Sequence, residues 1–186
     1  LEVVCAGKGK NNPLNIDATP DVYTEEAVRR HMNPRMLVEF VDGSKTMVEM
    51  AAIANATGLL PPEDGLAFPP CGVQDLPHVF RPLSEGGLLP HKGMVEVISS
   101  LERDARQVVG DLRWGVYAVF EGETDYIRRC FSEYGVHTDS TGHYAALWRP
   151  YHLIGLELAV SVASAALRRA IDRVEAGRPA RRASAP

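Results

Sequence analysis

Lysine and carboxylate side chains recur at helical spacing between residues 39 and 49. Asp42, Lys45 and Glu49 are spaced i, i+3 and i+7, with Glu39 one turn earlier, so a helix would present them on one face. A lysine flanked by carboxylates can hold a substrate carboxylate or phosphate, or transfer a proton while the carboxylates shift its pKa. The alternative is a solvated helix face with ion pairs worth about 0.2–0.5 kcal/mol each, and the residues alone favour it slightly because charged helix faces are common.

A second group of cationic and amide side chains lies near the start of the chain, in the sequence GKGKNN at residues 7–12. We predict a polar loop directly after a strand at Leu1–Ala6, and such a loop can surround an anion with backbone N–H groups and ammonium groups. The spacing matches neither the P-loop nor the dinucleotide-binding fingerprint, and an exposed turn is the alternative. The candidate substrate-binding residues here are Lys8, Lys10, Asn11 and Asn12.

Four further polar residues are candidates because of their positions. Asn55 falls on the apolar side of the helix predicted below, where an amide must find partners or cost about 1–3 kcal/mol. It could be a satisfied core residue, a cap near the helix end or part of a pocket. His91 and Lys92 precede a predicted strand and Arg149 follows another, at element ends where sites are often built.

The charged face requires a helix across residues 34–57. Asn33 followed by Pro34 is a typical helix start, and Gly58 is a typical end. Inside a helix, Gly43 would lower the stability of the helix by about 1 kcal/mol relative to alanine. We therefore predict one helix or two collinear helices. At 100° per residue, an apolar arc opposes the charged one. Its members are Met36, Leu37, Phe40, Val41, Ser44, Met47, Val48 and Ala51.

The remaining chain alternates between strand-like and helix-like segments. We predict helices near residues 23–31, 123–134 and 150–176, and strands near 93–99, 114–120 and 143–148. Between them, residues 60–91 form a long proline-rich loop of a kind that is usually functional or wraps the domain. This order predicts an α+β domain in which helices pack on a small mixed or antiparallel sheet.

Composition limits the class of protein. The chain has 186 residues and a net charge of −4, which argues against nucleic acid or an anionic membrane as the main partner. Three cysteines without metal-site spacing suit a reducing compartment, so we expect a cytoplasmic protein. We expect one domain at residues 1–176 and a flexible tail or linker at 177–186. Because residue 1 is not methionine, we also expect that further chain precedes it.

Five stretches together resemble a family of bacterial oxidoreductases described as predicted homoserine dehydrogenases. Some members of that family are similar in role to 1-deoxy-D-xylulose 5-phosphate reductoisomerase. The resemblance extends from residue 3 to about residue 160, nearly the whole chain. The stretches are residues 4–13 (VCAGKGKNNP), 33–38 (NPRMLV), 40–50 (FVDGSKTMVEM), 54–58 (ANATG) and 149–157 (RPYHLIGLE).

The resemblance implies a three-part protein with an N-terminal Rossmann domain for NAD(P), a middle substrate and dimerisation domain, and a C-terminal antifreeze-like module. This chain resembles only the middle part, since it contains no GxGxxG strand–helix unit. NAD(P) would therefore be bound chiefly by a domain absent here. In such enzymes lysine and carboxylate side chains lie over the substrate, which implies Lys45, Asp42 and Glu49 as catalytic residues and Lys8 and Lys10 as holders of an anion.

We thus expect the substrate-side domain of an NAD(P)-dependent oxidoreductase acting on a small anionic substrate. A reductoisomerase acting on a sugar phosphate is one alternative, and there Glu39, Asp42 or Glu49 would help to bind a divalent metal such as magnesium or manganese. A non-catalytic binding or assembly module is the other. We also expect a homodimer, because small residues form a stripe on the predicted last helix. They are Gly155, Ala159, Ala163 and Ala166.

Overall fold

The computed structural model describes residues 1–153, and within them the predicted α+β class is confirmed. The predicted last helix, with its small-residue stripe, and the predicted tail lie outside the described residues, apart from the first few residues after Pro150. The elements, in chain order, are β1 (Glu2–Lys10), α1 (Thr24–Arg29), α2 (Pro34–Val41), α3 (Ser44–Thr57), α4 (Leu76–Val79), a 3-10 turn (Leu83–Glu85), β2 (Met94–Ser99), β3 (Val116–Glu121), α5 (Asp125–Glu133), β4 (His137–Thr138) and β5 (Tyr144–Arg149).

The strands form one mixed, open sheet in the order β2-β1-β3-β5-β4. β1 is parallel to β2 and antiparallel to β3, so the last residues of β1 and β2 lie beside the first residue of β3. β5 is antiparallel to β3 and finishes at the same place, where Val116 pairs with Arg149. This end of the sheet, which carries Lys10, Ser99, Val116 and Arg149, is called the Lys10 end below.

The structure corrects the prediction of a loop at residues 7–10, because β1 continues to Lys10. Glycine and lysine are both disfavoured in strands, yet here they alternate with the period of two that a strand requires. A side chain at Gly7 or Gly9 would meet backbone: a Cβ atom would lie 1.7 Å from the Glu96 carbonyl oxygen or 1.7 Å from the Leu112 carbonyl oxygen. Because Gly7 and Gly9 have no side chain, neighbouring backbone packs closely against one face of β1. Lys8 and Lys10 project from the other face.

The predicted 34–57 helix is two helices, separated at Asp42 and Gly43. Asn33 caps α2 as predicted, since its side chain accepts a hydrogen bond from the Arg35 N–H, and Gly58 ends α3 in the left-handed conformation. Gly43 adopts φ of 87°, which the helix cannot continue through. Because of this break, α3 buries a different face from the one that a continuous helix would bury. The single apolar arc predicted for residues 34–57 was therefore wrong for α3.

In α3 the buried side is the one predicted to be polar. Thr46 and Met50 are buried and Glu49 is half-buried, whereas Met47 and Val48 are 44% and 70% exposed. These inward residues follow the i, i+3, i+4 spacing of a helix packed on a sheet. Asn55, which the continuous arc would have placed on the apolar side, is exposed.

The sheet is covered on both faces by segments of different kinds. α3 packs over β2 on one face, where Met50 joins Val95 and Val97 in an apolar cluster. On the other face the proline-rich segment folds back on the sheet, and its α4 places Leu76 and Phe80 in the larger cluster. The predicted wrapping role of residues 60–91 is therefore confirmed, although α4 and the short strand β4 were not predicted. None of the helices in residues 1–153 is long and apolar enough to cross a membrane.

Candidate functional site

A cavity of about 200 Å³ opens at the Lys10 end of the sheet, between β1, α3 and the segments that flank β3 and β5. We call it the polar cavity. It brings together six of the residues predicted from sequence: Lys8, Lys10, Asn11, Asn12, Lys45 and Glu49. The other residues lining it are Phe40, Thr46, Arg113, Trp114 and His152. A strand, two helices and three loop segments thus meet around one set of cationic side chains.

Lys8 is held at the centre of the polar cavity by two acceptors. Its Nζ donates to Glu49 Oε2 on α3 and lies 3.3 Å from His152 Nε2. His152 Nδ1 lies 2.7 Å from the Trp114 carbonyl oxygen, and a carbonyl only accepts, so the hydrogen-bond pattern assigns the ring proton to Nδ1. In the neutral ring Nε2 is then an acceptor for Lys8. Glu49 and His152 therefore orient the Lys8 ammonium group.

The two carboxylate oxygens of Glu49 differ in their hydrogen bonding. Oε1 is buried and, among the described residues, has no hydrogen-bond partner, while Oε2 is bound to Lys8. A buried polar atom without a partner is costly, and a carboxylate oxygen accepts strongly from a hydroxyl or ammonium group. Glu49 Oε1 therefore keeps an unused capacity to accept a hydrogen bond, on a residue that lines the polar cavity.

Lys10 is the most enclosed cation of the site, with 4% of the residue exposed. Its Nζ donates to the Phe40 carbonyl oxygen at 2.5 Å, in the last turn of α2, where helix carbonyls otherwise lack partners. Burial is the main cause that lowers the pKa of the Lys10 ammonium to about 8; the charge of Asp42 opposes the change, and the charge of Lys8 adds to it. A lysine with this pKa holds or releases a proton near neutral pH.

The remaining cations lie nearer to solvent. Lys45 is exposed, and its Nζ lies 4.5 Å from the centre of the Phe40 ring. Arg113 is paired with Asp111 through two hydrogen bonds, Nε to Oδ1 at 2.8 Å and Nη2 to Oδ2 at 2.6 Å. Four cationic side chains and one carboxylate therefore line a cavity of about 200 Å³, which favours a small anion.

The other predicted site residues lie outside the lining of the polar cavity. Asp42 is in the turn between α2 and α3, where its Oδ1 accepts from the Ser44 N–H at 2.7 Å. Glu39 lines a separate open cavity with Lys45 and Glu49. Asn55 is on the exposed side of α3. Its role in binding substrate stays a prediction.

Three more candidates lie near the two ends of the sheet. His91 and Lys92 precede β2, opposite the Lys10 end, and Lys92 Nζ donates to Glu121 there. Arg149 is at the Lys10 end, where its Nε donates to the Tyr151 carbonyl oxygen at 2.9 Å and its guanidinium lies 5.1 Å from the Tyr151 ring centre.

Sequence reasoning missed Arg113, Trp114 and His152 as residues of the site. Arg113 and Trp114 precede β3, and only the antiparallel pairing of β3 with β1 brings them beside Lys10. His152 belongs to the segment of cationic and titratable residues at the end of β5, residues 149–152, from which only Arg149 was selected. Knowing the strand order would have identified all three, since each follows or precedes a strand at the Lys10 end.

The predicted carboxylates do not converge. In residues 1–153 no group of three or more His, Cys, Asp or Glu side chains is placed to hold a metal ion. Glu39, Asp42 and Glu49 are thus not one ligand set in this arrangement, and dependence on a metal stays a prediction.

Comparison with known proteins identifies one family. The family described as "Oxidoreductase DRL, catalytic domain" matches residues 1–158, which include every residue of the polar cavity. No curated protein matches the chain.

Proposed function

Because this chain belongs to the oxidoreductase DRL catalytic-domain family, we propose that the polar cavity is its substrate site and takes a small anion. The observation that carries the proposal is the charge around the cavity: four cationic side chains in the lining against Glu49, also in the lining, and Asp111, which pairs with Arg113. Such a lining attracts an anionic substrate and fixes its orientation.

Three of the four cations and Glu49 have defined tasks in this proposal. Lys45 and Arg113, which are accessible, bind the anionic group of the substrate. Lys10, with its pKa of about 8, exchanges a proton with the substrate oxygen that is oxidised or reduced. Glu49 Oε1 accepts a hydrogen bond from a second hydroxyl or an amino group of the substrate.

We further propose that the reaction is a hydride transfer with NAD(P), as in homoserine dehydrogenases. The bound nicotinamide would supply or accept the hydride, and another domain would hold most of the dinucleotide, since this sequence contains no GxGxxG unit. Asp42 lies next to the cavity and acts on Lys10 by its charge, which fits a supporting role better than contact with substrate.

A reductoisomerase acting on a sugar phosphate is the second candidate. The number of cations favours it, because four positive side chains suit a phosphate dianion better than a single carboxylate. A homodimer is a separate proposal, based on the small-residue stripe in the sequence, and a monomeric mass in solution would count against it.

The experiment is a substrate screen on the full-length protein. Homoserine-like hydroxy acids and sugar phosphates would be tested with NAD(P) in the oxidative direction, and the matching carbonyl compounds or sugar phosphates with NADH and NADPH in the reductive direction. Lys45→Ala is expected to raise KM for the substrate at least tenfold, corresponding to about 1.4 kcal/mol of lost binding. Arg129→Ala, an exposed cation on α5, is the matched control and should leave KM and kcat unchanged. Unchanged kinetics in Lys45→Ala would contradict the site assignment.

A further inference from the structure

A second and larger cavity adjoins the polar cavity. It measures about 470 Å³ and lies between the residues that follow β1 and the helices α1 and α2. Leu37 and Val41 form its buried apolar wall, and Tyr23 closes it from the α1 side. We call it the aromatic cavity.

The two cavities share part of their lining. Asn11, Asn12, Phe40 and Trp114 line both. A group in the aromatic cavity would therefore lie next to an anion in the polar cavity, with only these side chains between or around them. The sizes differ by more than a factor of two, about 470 Å³ against about 200 Å³, so the pair suits one larger flat group and one small anion.

The chemistry of the shared lining favours a planar ring that carries an amide. Trp114, and the face of Phe40 that Lys45 does not cover, are aromatic surfaces that stabilise a stacked ring and attract a positively charged one. Asn12 Nδ2 donates to Asn11 Oδ1 at 2.9 Å, and this bond does not use Asn11 Nδ2 or Asn12 Oδ1. Asn11 Nδ2 is a donor and Asn12 Oδ1 is an acceptor, so they match the oxygen and the nitrogen of a primary carboxamide.

We propose that the aromatic cavity receives the nicotinamide ring of NAD(P), beside the substrate anion. The proposal rests on the proposed function, in which a hydride passes between the two ligands. Hydride transfer requires the reacting carbons to approach to about 3–3.5 Å, so the two ligands must occupy adjoining sites, as these cavities are. The ring stacks on Phe40 and Trp114, and its carboxamide bonds to Asn11 and Asn12. This chain would then bind the reactive end of a cofactor whose remainder lies on another domain.

Fluorescence of the 186-residue chain tests the proposal without any assay of activity, because the chain contains two tryptophans. Trp148→Phe leaves only Trp114, in the shared lining, and Trp114→Phe leaves only Trp148, on β5 against His137. The probe is 1-methylnicotinamide, the charged ring alone. We expect saturable quenching of Trp114, and for Trp148 only the linear collisional quenching that a free tryptophan derivative shows.

A second variant distinguishes stacking from general contact. Phe40→Leu keeps an apolar side chain and the backbone carbonyl that holds Lys10, and it is expected to raise the Kd for 1-methylnicotinamide about threefold to tenfold. Linear, equal quenching of both tryptophans up to the solubility limit of the probe would overturn the proposal. So would an unchanged Kd in the Phe40 variant.

Calorimetry with inorganic phosphate separates failure of this inference from failure of the proposed function. If phosphate binds and 1-methylnicotinamide does not saturate, the ring site is wrong and the anion site stands. If phosphate does not bind, the proposed function fails as well.

Saturable probe binding that phosphate leaves intact supports two adjacent sites, whereas displacement by phosphate overturns them. Phenyl phosphate binding at least tenfold more tightly than phosphate would assign the aromatic cavity to the substrate and overturn the assignment to the cofactor.

Discussion

Replacing Lys10 with a residue that does not titrate is expected to remove a pH-dependent part of the protein's stability. Lys10 is 4% exposed, and burial lowers its pKa from the usual 10.5 to about 8. Between these two pKa values the unfolded chain binds more protons at this residue than the folded chain does. Raising the pH through that range therefore favours the folded state. The cost of burying the ammonium is present in full below pH about 8.

The magnitude follows from the size of the pKa change. A lowering from 10.5 to about 8 corresponds to about 3 kcal/mol at 1.36 kcal/mol per pKa unit. Between pH about 7 and about 9.5 the linkage relation recovers about 2 kcal/mol of this, because the unfolded lysine is still mostly protonated at the upper value. Since Lys10 is almost fully enclosed, solvent screening removes little of the effect.

Urea denaturation at pH about 7 and about 9.5 measures the effect in the wild-type chain, Lys10→Met and Lys10→Arg. All three share every other titratable group, so subtraction isolates Lys10. Arginine keeps a donor for the Phe40 carbonyl oxygen but does not titrate in this range. The wild type should gain about 2 kcal/mol relative to both variants as the pH rises. A constant difference at the two pH values would refute the inference that burial lowers this pKa.

Three further changes have defined outcomes. Gly9→Ala should prevent folding or destabilise it by more than about 3 kcal/mol in a urea melt, since the new Cβ would lie 1.7 Å from the Leu112 carbonyl oxygen. Glu96→Gln should cost about 1–3 kcal/mol in the same assay, because Glu96 Oε2 accepts from the Ala67 N–H and Oε1 from the Val97 N–H, and glutamine keeps only one of the two acceptors. Glu49→Gln should tighten phosphate binding about fivefold by calorimetry, as the polar cavity loses its negative charge while the amide oxygen still accepts from Lys8. Weaker phosphate binding would contradict that electrostatic account.

The amino-acid sequence by itself determined the local elements and the types of residue that form the site. Asn33, Pro34 and Gly58 marked the ends of the helical region correctly, because capping and left-handed glycine act within a few residues. The alternating glycines and lysines of β1 also carried a strand signal, although the low strand propensity of both residue types led to the prediction of a loop. Lys8, Lys10, Lys45 and Glu49, which the sequence offered as candidates in two separate segments, all line the polar cavity.

Only the tertiary structure decided which of these residues face one another. The break at Gly43 turned Glu49 towards β1, and the pairing of β3 with β1 brought Arg113 and Trp114 to the Lys10 end. Strand order and helix phase depend on contacts between residues far apart in the chain, and single-sequence periodicity contains no measure of them. The pKa of Lys10 belongs to the same class, because its main cause is the burial of the ammonium group against α2.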